Sequence, residues 1–101
     1  MEEIIILKNK NAKLLDGANL LKIISNPIRL EIICYLENGE MYVSQLLEKF
    51  PKLSQPAISQ HLALLKMHKV VRTEKQGQHV AYSLKDENIH KLINSLRKVF
   101  S

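Results

Sequence analysis

The chain has one cysteine, no tryptophan and only two phenylalanines among its 101 residues. A lone thiol, Cys34, excludes an intrachain disulfide and any CxxC zinc site. The three glycines, Gly17, Gly39 and Gly77, stand apart from one another, so no glycine-rich loop exists to cradle a phosphate. No nucleophile–base pairing or pair of carboxylates suited to acid–base work can be picked out, which argues against an enzyme and calls for no cofactor. The longest apolar run, Ile4 to Leu7, is four residues behind two glutamates. That is neither a membrane span nor a secretory signal, so a cytoplasmic protein with no membrane partner is expected. There is no repeat, low-complexity tract or linker, and the length suits a single domain over residues 1–101.

Acidic residues are scarce in one place. Residues 51–82 carry Lys52, Lys66, Lys69, Arg72 and Lys75 against Glu74 alone, a local charge of +4. Residues 1–50 carry six Lys/Arg against seven Asp/Glu, and residues 83–101 four against two. The basic excess is therefore concentrated on one segment, as a phosphate-facing surface requires.

The hydrophobic periodicity predicts mostly helix, in the order α1-α2-α3-α4-β-β-α5, an α+β fold. Residues 1–11 are a weakly specified arm. A first helix is expected over 12–25 and a second from Pro27 to about Glu37, capped by Asn26 and stopped at Asn38-Gly39. The second is apolar almost all round and belongs mid-core. Met41 to Val43 read as extended and Ser44 to Phe50 as a short helix. After the turn Pro51-Lys52-Leu53, Ser54 caps a helix with Pro56 in its first turn. There Ile58, Leu62 and Leu65 recur at i, i+4, i+7 and should face the core. Strands are expected over Val70–Glu74 and His79–Leu84, with Gln76-Gly77-Gln78 as the tip. A last helix runs from about Asp86 to Phe100.

Two helices joined by a tight turn, followed by a basic hairpin, form a winged helix-turn-helix. The second helix would enter the major groove, with Ser54, Gln55, Pro56, Ser59, Gln60 and His61 on its outer side. Amide and hydroxyl groups hydrogen-bond base edges. Lys66, Lys69, Arg72 and Lys75 suit phosphates, and Gln76 and Gln78 at the hairpin tip could reach the flanking backbone. The apolar stripes of the first and last helices (Leu14, Leu21, Ile89, Leu92, Ile93, Leu96, Val99, Phe100) exceed what so small a domain hides by itself. A two-fold homodimer is expected from them, with paired reading helices about 34 Å apart on a palindromic duplex. The alternative without DNA is a winged-helix module that contacts another protein.

The runs NPIRLEIICYLENGEMYVSQL and LSQPAISQHLALLK, and the hairpin ending in YSL, resemble the ArsR/SmtB family of bacterial winged-helix repressors. The likeness covers roughly residues 18–100. It implies a homodimeric repressor released from its operator by an inducer. One metal-sensing type in the family uses a CxC pair in the third helix, where this chain has Val43-Ser44-Gln45-Leu46-Leu47. Another uses Asp and His ligands on the last helix. Asp86 matches, but Asn88 and Val99 stand where histidines would, and His61, His68, His79 and His90 rebuild no clamp. No metal site is expected, and a metal-responsive repressor of the same family is the alternative to the reading that follows. The segment RLEIIC is most similar to the thiol-sensing branch typified by BigR and HlyU, which implies a redox or reactive-sulfur sensor at Cys34. That branch pairs the thiol with a second cysteine where this chain has Ser101, so dithiol sensing is absent or disabled, whether by natural divergence or by deliberate replacement. Read by residues alone, Cys34 is a small buried hydrophobe with no cation beside it on its own helix.

Overall fold

Asparagine 26 starts the central helix as its sequence demands. Its side-chain oxygen accepts from the amides of Ile28 and Arg29, at 2.9 and 3.1 Å, and Pro27 fills the first turn. The computed structural model describes residue 14 and residues 17–100. Five helices and a three-stranded antiparallel sheet occur there. Helix α1 is described over residues 17–24, with Leu14 also helical. It is followed by α2 (Pro27–Leu36), β1 (Met41–Tyr42), α3 (Val43–Lys49), α4 (Gln55–Met67), β2 (Val71–Gln76), β3 (His79–Leu84) and α5 (Glu87–Phe100). This is the winged helix-turn-helix. The arm expected over residues 1–11 lies outside the described residues.

The core is one cluster. Ile32, Ile33 and Leu36 of α2 meet Leu46 of α3, Ile58, Leu62 and Leu65 of α4, Val70 and Val71 leading into the hairpin, and Ile89 and Ile93 of α5. Helix α2 is largely but not wholly enclosed: Ile32, Ile33 and Leu36 are buried, Leu30, Cys34 and Tyr35 half-buried, and Pro27 and Glu31 exposed. Helix α4 is the opposite case. Ile58, Leu62 and Leu65 are fully buried, while Ser54, Gln55, Ser59, Gln60, Ala63 and Lys66 are exposed.

Two expectations about the hairpin need correcting. Its first strand starts at Val71 and continues to Gln76, and the loop is only Gly77-Gln78, with Gln76 paired to His79. Gly77, at φ 63°, supplies the positive φ that a two-residue hairpin loop needs at its first position. The extended piece Met41–Tyr42 joins the sheet as a third strand, giving the order β1-β3-β2 with Met41 opposite Tyr82.

Helix α4 ends without a glycine. Val70 N–H donates to the Leu65 carbonyl at 2.9 Å and Lys69 N–H to that of Lys66 at 3.0 Å, and this reversal holds Lys69 at φ 60°. A lysine Cβ is strained there. Lys69→Gly is therefore expected to raise the unfolding free energy by about 1 kcal/mol, whereas Lys69→Ala, which keeps the Cβ, should gain nothing. Urea melts of both variants check it.

Candidate nucleic-acid interface

The outer face of α4 begins at a capped terminus. The Ser54 hydroxyl accepts from the Ala57 amide at 3.3 Å, and Pro56 occupies the first turn. From there the 3.6-residue period turns Ser59 and Gln60 away from the buried Ile58–Leu62–Leu65 stripe, while Gln55, seven residues before Leu62, is exposed because it stands at the helix start. Lys66 and Lys69 are exposed at the far end.

The hairpin stands beside this strip. Arg72, Lys75 and Gln78 are exposed. Arg72 lies opposite Ser83 in the sheet, and its Nε donates to the Ser83 hydroxyl at 3.3 Å. A groove of about 310 Å³ separates hairpin from helix, lined by Tyr42, Ser44, Gln55, Gln78 and His79 among others. The groove brings Gln55 and Gln78 together, while Arg72 and Lys75, three residues apart on β2, point to opposite faces of the hairpin, Arg72 beside Glu40, Glu74 and Ser83.

Two of the residues assigned to this face from sequence are turned elsewhere. His61 is half-buried rather than outward. Its Nδ1 lies 3.3 Å from Nη1 of Arg29, and burial first, then the Arg29 charge, push the imidazole below its usual pKa. Gln76 is not a free tip residue. The Tyr42 hydroxyl donates to its side-chain oxygen at 2.7 Å, and its Nε2 donates to the Glu40 carboxylate at 3.1 and 3.3 Å. The Tyr42 ring also stacks on His79, with centroids 4.9 Å apart. Tyr42 therefore ties the hairpin to the start of α3. No periodicity marks such a role, because the partners lie more than thirty residues apart in sequence.

The faces of α1 and α5 need a similar division. Ile89 and Ile93 lie in the protomer's own core, at 7% and 2% exposure, and Ile93 also forms part of the wall of a cleft on this side. Leu14, Leu21, Val99 and Phe100 are exposed, Phe100 by 82%, and Leu92 and Leu96 are half-buried. Two adjoining clefts of about 340 and 350 Å³ open on this side. Leu30, Leu96 and Phe100 line both, and the first also includes Cys34 and Arg97.

Cys34 has a cation beside it after all, but from another helix. Nη2 of Arg97 on α5 lies 3.7 Å from its Sγ. Arg97 also grips Glu37 through both nitrogens, Nη1 to Oε2 at 3.2 Å and Nη2 to Oε1 more closely. His90 completes the cluster, its Nδ1 3.4 Å from Glu37 Oε2. His90 is thus engaged within its own chain. Ser101, the position paired with Cys34 by resemblance, lies outside the described residues.

The Arg97 hydrogen bond chiefly, with His90 adding to it, holds the Glu37 carboxyl below its ordinary value of 4.5. A carboxylate depressed in the folded state contributes stability in full above that value and loses it as pH falls through the lower, folded one. The difference in thermal midpoint between the wild type and Glu37→Gln is expected to be widest above pH 4.5 and to shrink on acidification. A difference that ignores pH would mean that the α2–α5 bridge contributes nothing.

Comparison with known proteins follows this geometry. Residues 26–72 match the family model described as "Bacterial regulatory protein, arsR family". The chain is 35% identical over 85 residues to the biofilm growth-associated repressor of Xylella fastidiosa, covering 84% of this chain and 74% of that protein. It is 38% identical over 81 residues to the transcriptional activator HlyU of Vibrio cholerae, covering 80% and 74%. The structure of HlyU from Vibrio cholerae matches with a TM-score of 0.80 at 34% identity, over 89% of this chain and 97% of that one. A TM-score of 0.80 also relates it to the homodimeric winged helix-turn-helix DNA-binding domain Mb0332 from Mycobacterium bovis, at 26% identity over 89% and 82%.

Proposed function

The chain belongs to the ArsR family of bacterial transcriptional regulators, and from that premise we propose that it works as a homodimeric, sequence-specific DNA-binding repressor, cytoplasmic, with Cys34 as the point where a signal enters. One observation carries the DNA-binding part. Helix α4 is sealed on one face by three fully buried residues and leaves Ser59 and Gln60 bare on the other and Gln55 bare at its start, beside a hairpin bearing Arg72 and Lys75. Glutamine can pair bidentately with adenine and serine can serve either kind of edge, while the cations neutralise phosphates.

The dimer reading is supported by the exposed Leu14, Leu21, Val99 and Phe100 and by the two apolar clefts beside them. A second copy would bury that surface by two-fold symmetry and present two α4 helices about 34 Å apart, one turn of a palindromic operator. The homodimeric Mb0332 domain supports the same assembly. Of the relatives above, one is called a repressor and one an activator. Repression is the simpler outcome, since a dimer seated on a promoter excludes polymerase.

The sensor reading rests on geometry: the half-buried Cys34 sulfur lines an open cleft, with the Arg97 guanidinium 3.7 Å away. Attack of the Cys34 thiolate on a polysulfide would displace a shorter polysulfide anion and leave a persulfide on Cys34. The new group would enter the cleft shared by Leu30, Leu96 and Phe100, within the association face.

In a binding titration, affinity for an operator duplex should fall steeply with salt, with a log–log slope of roughly 0.9 per phosphate neutralised. Lys75→Gln is expected to lower that slope by about one and spare discrimination, whereas Gln60→Ala should cost about 1–3 kcal/mol of discrimination and spare the slope. Salt-independent binding, or none, would sink the reading. Polysulfide treatment is expected to weaken operator binding by the wild type and leave Cys34→Ser unaffected. Equal responses would remove Cys34 from the mechanism.

A further inference from the structure

Helix α4 is held to the body of the protein mainly by apolar contacts, and those have no preferred direction. Ile58, Leu62 and Leu65 fix how close the helix lies but leave its roll about its own axis weakly determined. Arg29 supplies a directional contact on the flank. Its Nε donates to the Ile23 carbonyl at 2.6 Å, and its Nη1 lies 3.3 Å from Nδ1 of His61. Ile23 lies in the last turn of α1, where carbonyls have lost their helical partners, so the first bond meets a standing need. Arg29 itself is in the first turn of α2, whose cap Asn26 accepts from the Arg29 amide. One half-buried guanidinium therefore links α1, α2 and α4.

We propose that Arg29 is a positioning residue for DNA recognition: by donating to both Ile23 and His61 it holds His61 as the neutral Nε2–H tautomer and sets the roll of the reading helix. This rests on the reading of α4 as the DNA-contacting helix. The tautomer follows from the chemistry of the pair. A guanidinium has donors only and keeps its proton, so a contact with Nδ1 requires a lone pair on that nitrogen. The neutral ring's proton must then be on Nε2, which leaves Nδ1 as the acceptor that Arg29 engages.

The roll follows from geometry. His61 directly succeeds Gln60 and lies two residues beyond Ser59. A side-chain tip ~6 Å from the helix axis moves by about 1.5 Å when the helix rolls by about 15°. A bidentate hydrogen bond to a base does not survive that displacement. Phosphate contacts made by long, mobile lysines do survive it. Loss of the brace should therefore damage sequence discrimination and leave non-specific binding intact. Helix α1 carries exposed Leu14 and Leu21, so the same bracket also joins the association face to the reading helix.

The test uses the full chain, a duplex selected by it from a random-sequence library, and a scrambled control. Nitrogen-15 correlation spectra of the histidine side chains are expected to show His61 neutral with its proton on Nε2 at pH 7 in the wild type, and as a mixture of tautomers in Arg29→Met. Affinity of Arg29→Met for the selected duplex is expected to drop at least tenfold, with the scrambled duplex unchanged within twofold and the salt slope preserved. Arg29→Lys keeps the charge but cannot span both acceptors with a planar fork, and it should share most of that loss. Should Arg29→Met fail to fold, Arg29→Lys and the wild-type spectrum still decide. A His61 proton on Nδ1, a charged ring at neutral pH, wild-type affinity in both variants, or equal losses on both duplexes would overturn the proposal. If the wild type selects no duplex, the DNA reading fails and this role fails with it. The spectrum would then still report separately whether Arg29 governs the His61 tautomer.

Discussion

Burial of one face of α4 is the constraint on which the rest depends. Ile58, Leu62 and Leu65 are removed completely from water against α2 and α3. Because a helix is a rigid cylinder with a fixed angular period, burying those three positions decides, to within a modest roll, which residues face away. Ser59 and Gln60 are exposed for the same reason that Leu62 is not, and Gln55 is exposed because it stands at the helix start. The hydrophobic effect, which carries no information about DNA, thus presents the polar strip as a by-product of closing the core.

Apolar burial sets distance poorly in rotation, and the polar contacts of this molecule lie where rotation matters. Arg29 reaches from α2 to the end of α1 and to the flank of α4. Tyr42 joins the hairpin to the start of α3 through Gln76 and His79. Glu37 gathers Arg97 and His90 between α2 and α5. Each tie connects elements whose relative orientation apolar packing alone would fix less firmly. Among the described residues no buried side-chain polar atom is left without a partner, so these links carry no unpaired desolvation cost.

The elements were legible because local chemistry specifies them. Asn26-Pro27 and Ser54–Pro56 mark helix starts by capping, and Gly77 marks a turn by its positive φ. The bounds of the hairpin were less legible. The local pattern extends a strand to Val70, whose amide instead closes the end of α4, and marks Gln76 as tip although it continues β2. The stripe of α5 is legible as apolar but not in its division. Ile89 and Ile93 serve the protomer's core while Val99 and Phe100 do not, and periodicity cannot say where along a helix its neighbours end.

The sequence by itself determined which residues are apolar at helical spacing, where helices begin, which segment carries the positive charge, and that the single thiol has no partner for a disulfide. Those properties depend on neighbours within a few positions or on composition. The tertiary structure alone decided that Arg97 lies against Cys34, that His61 turns from the outer face to Arg29, and that Gln76 is held by Tyr42 and Glu40. These pairs are separated by 63, 32, 34 and 36 residues. A side chain's partner at such separation is set by how the helices and sheet close around a shared core, and no local pattern along the chain encodes it.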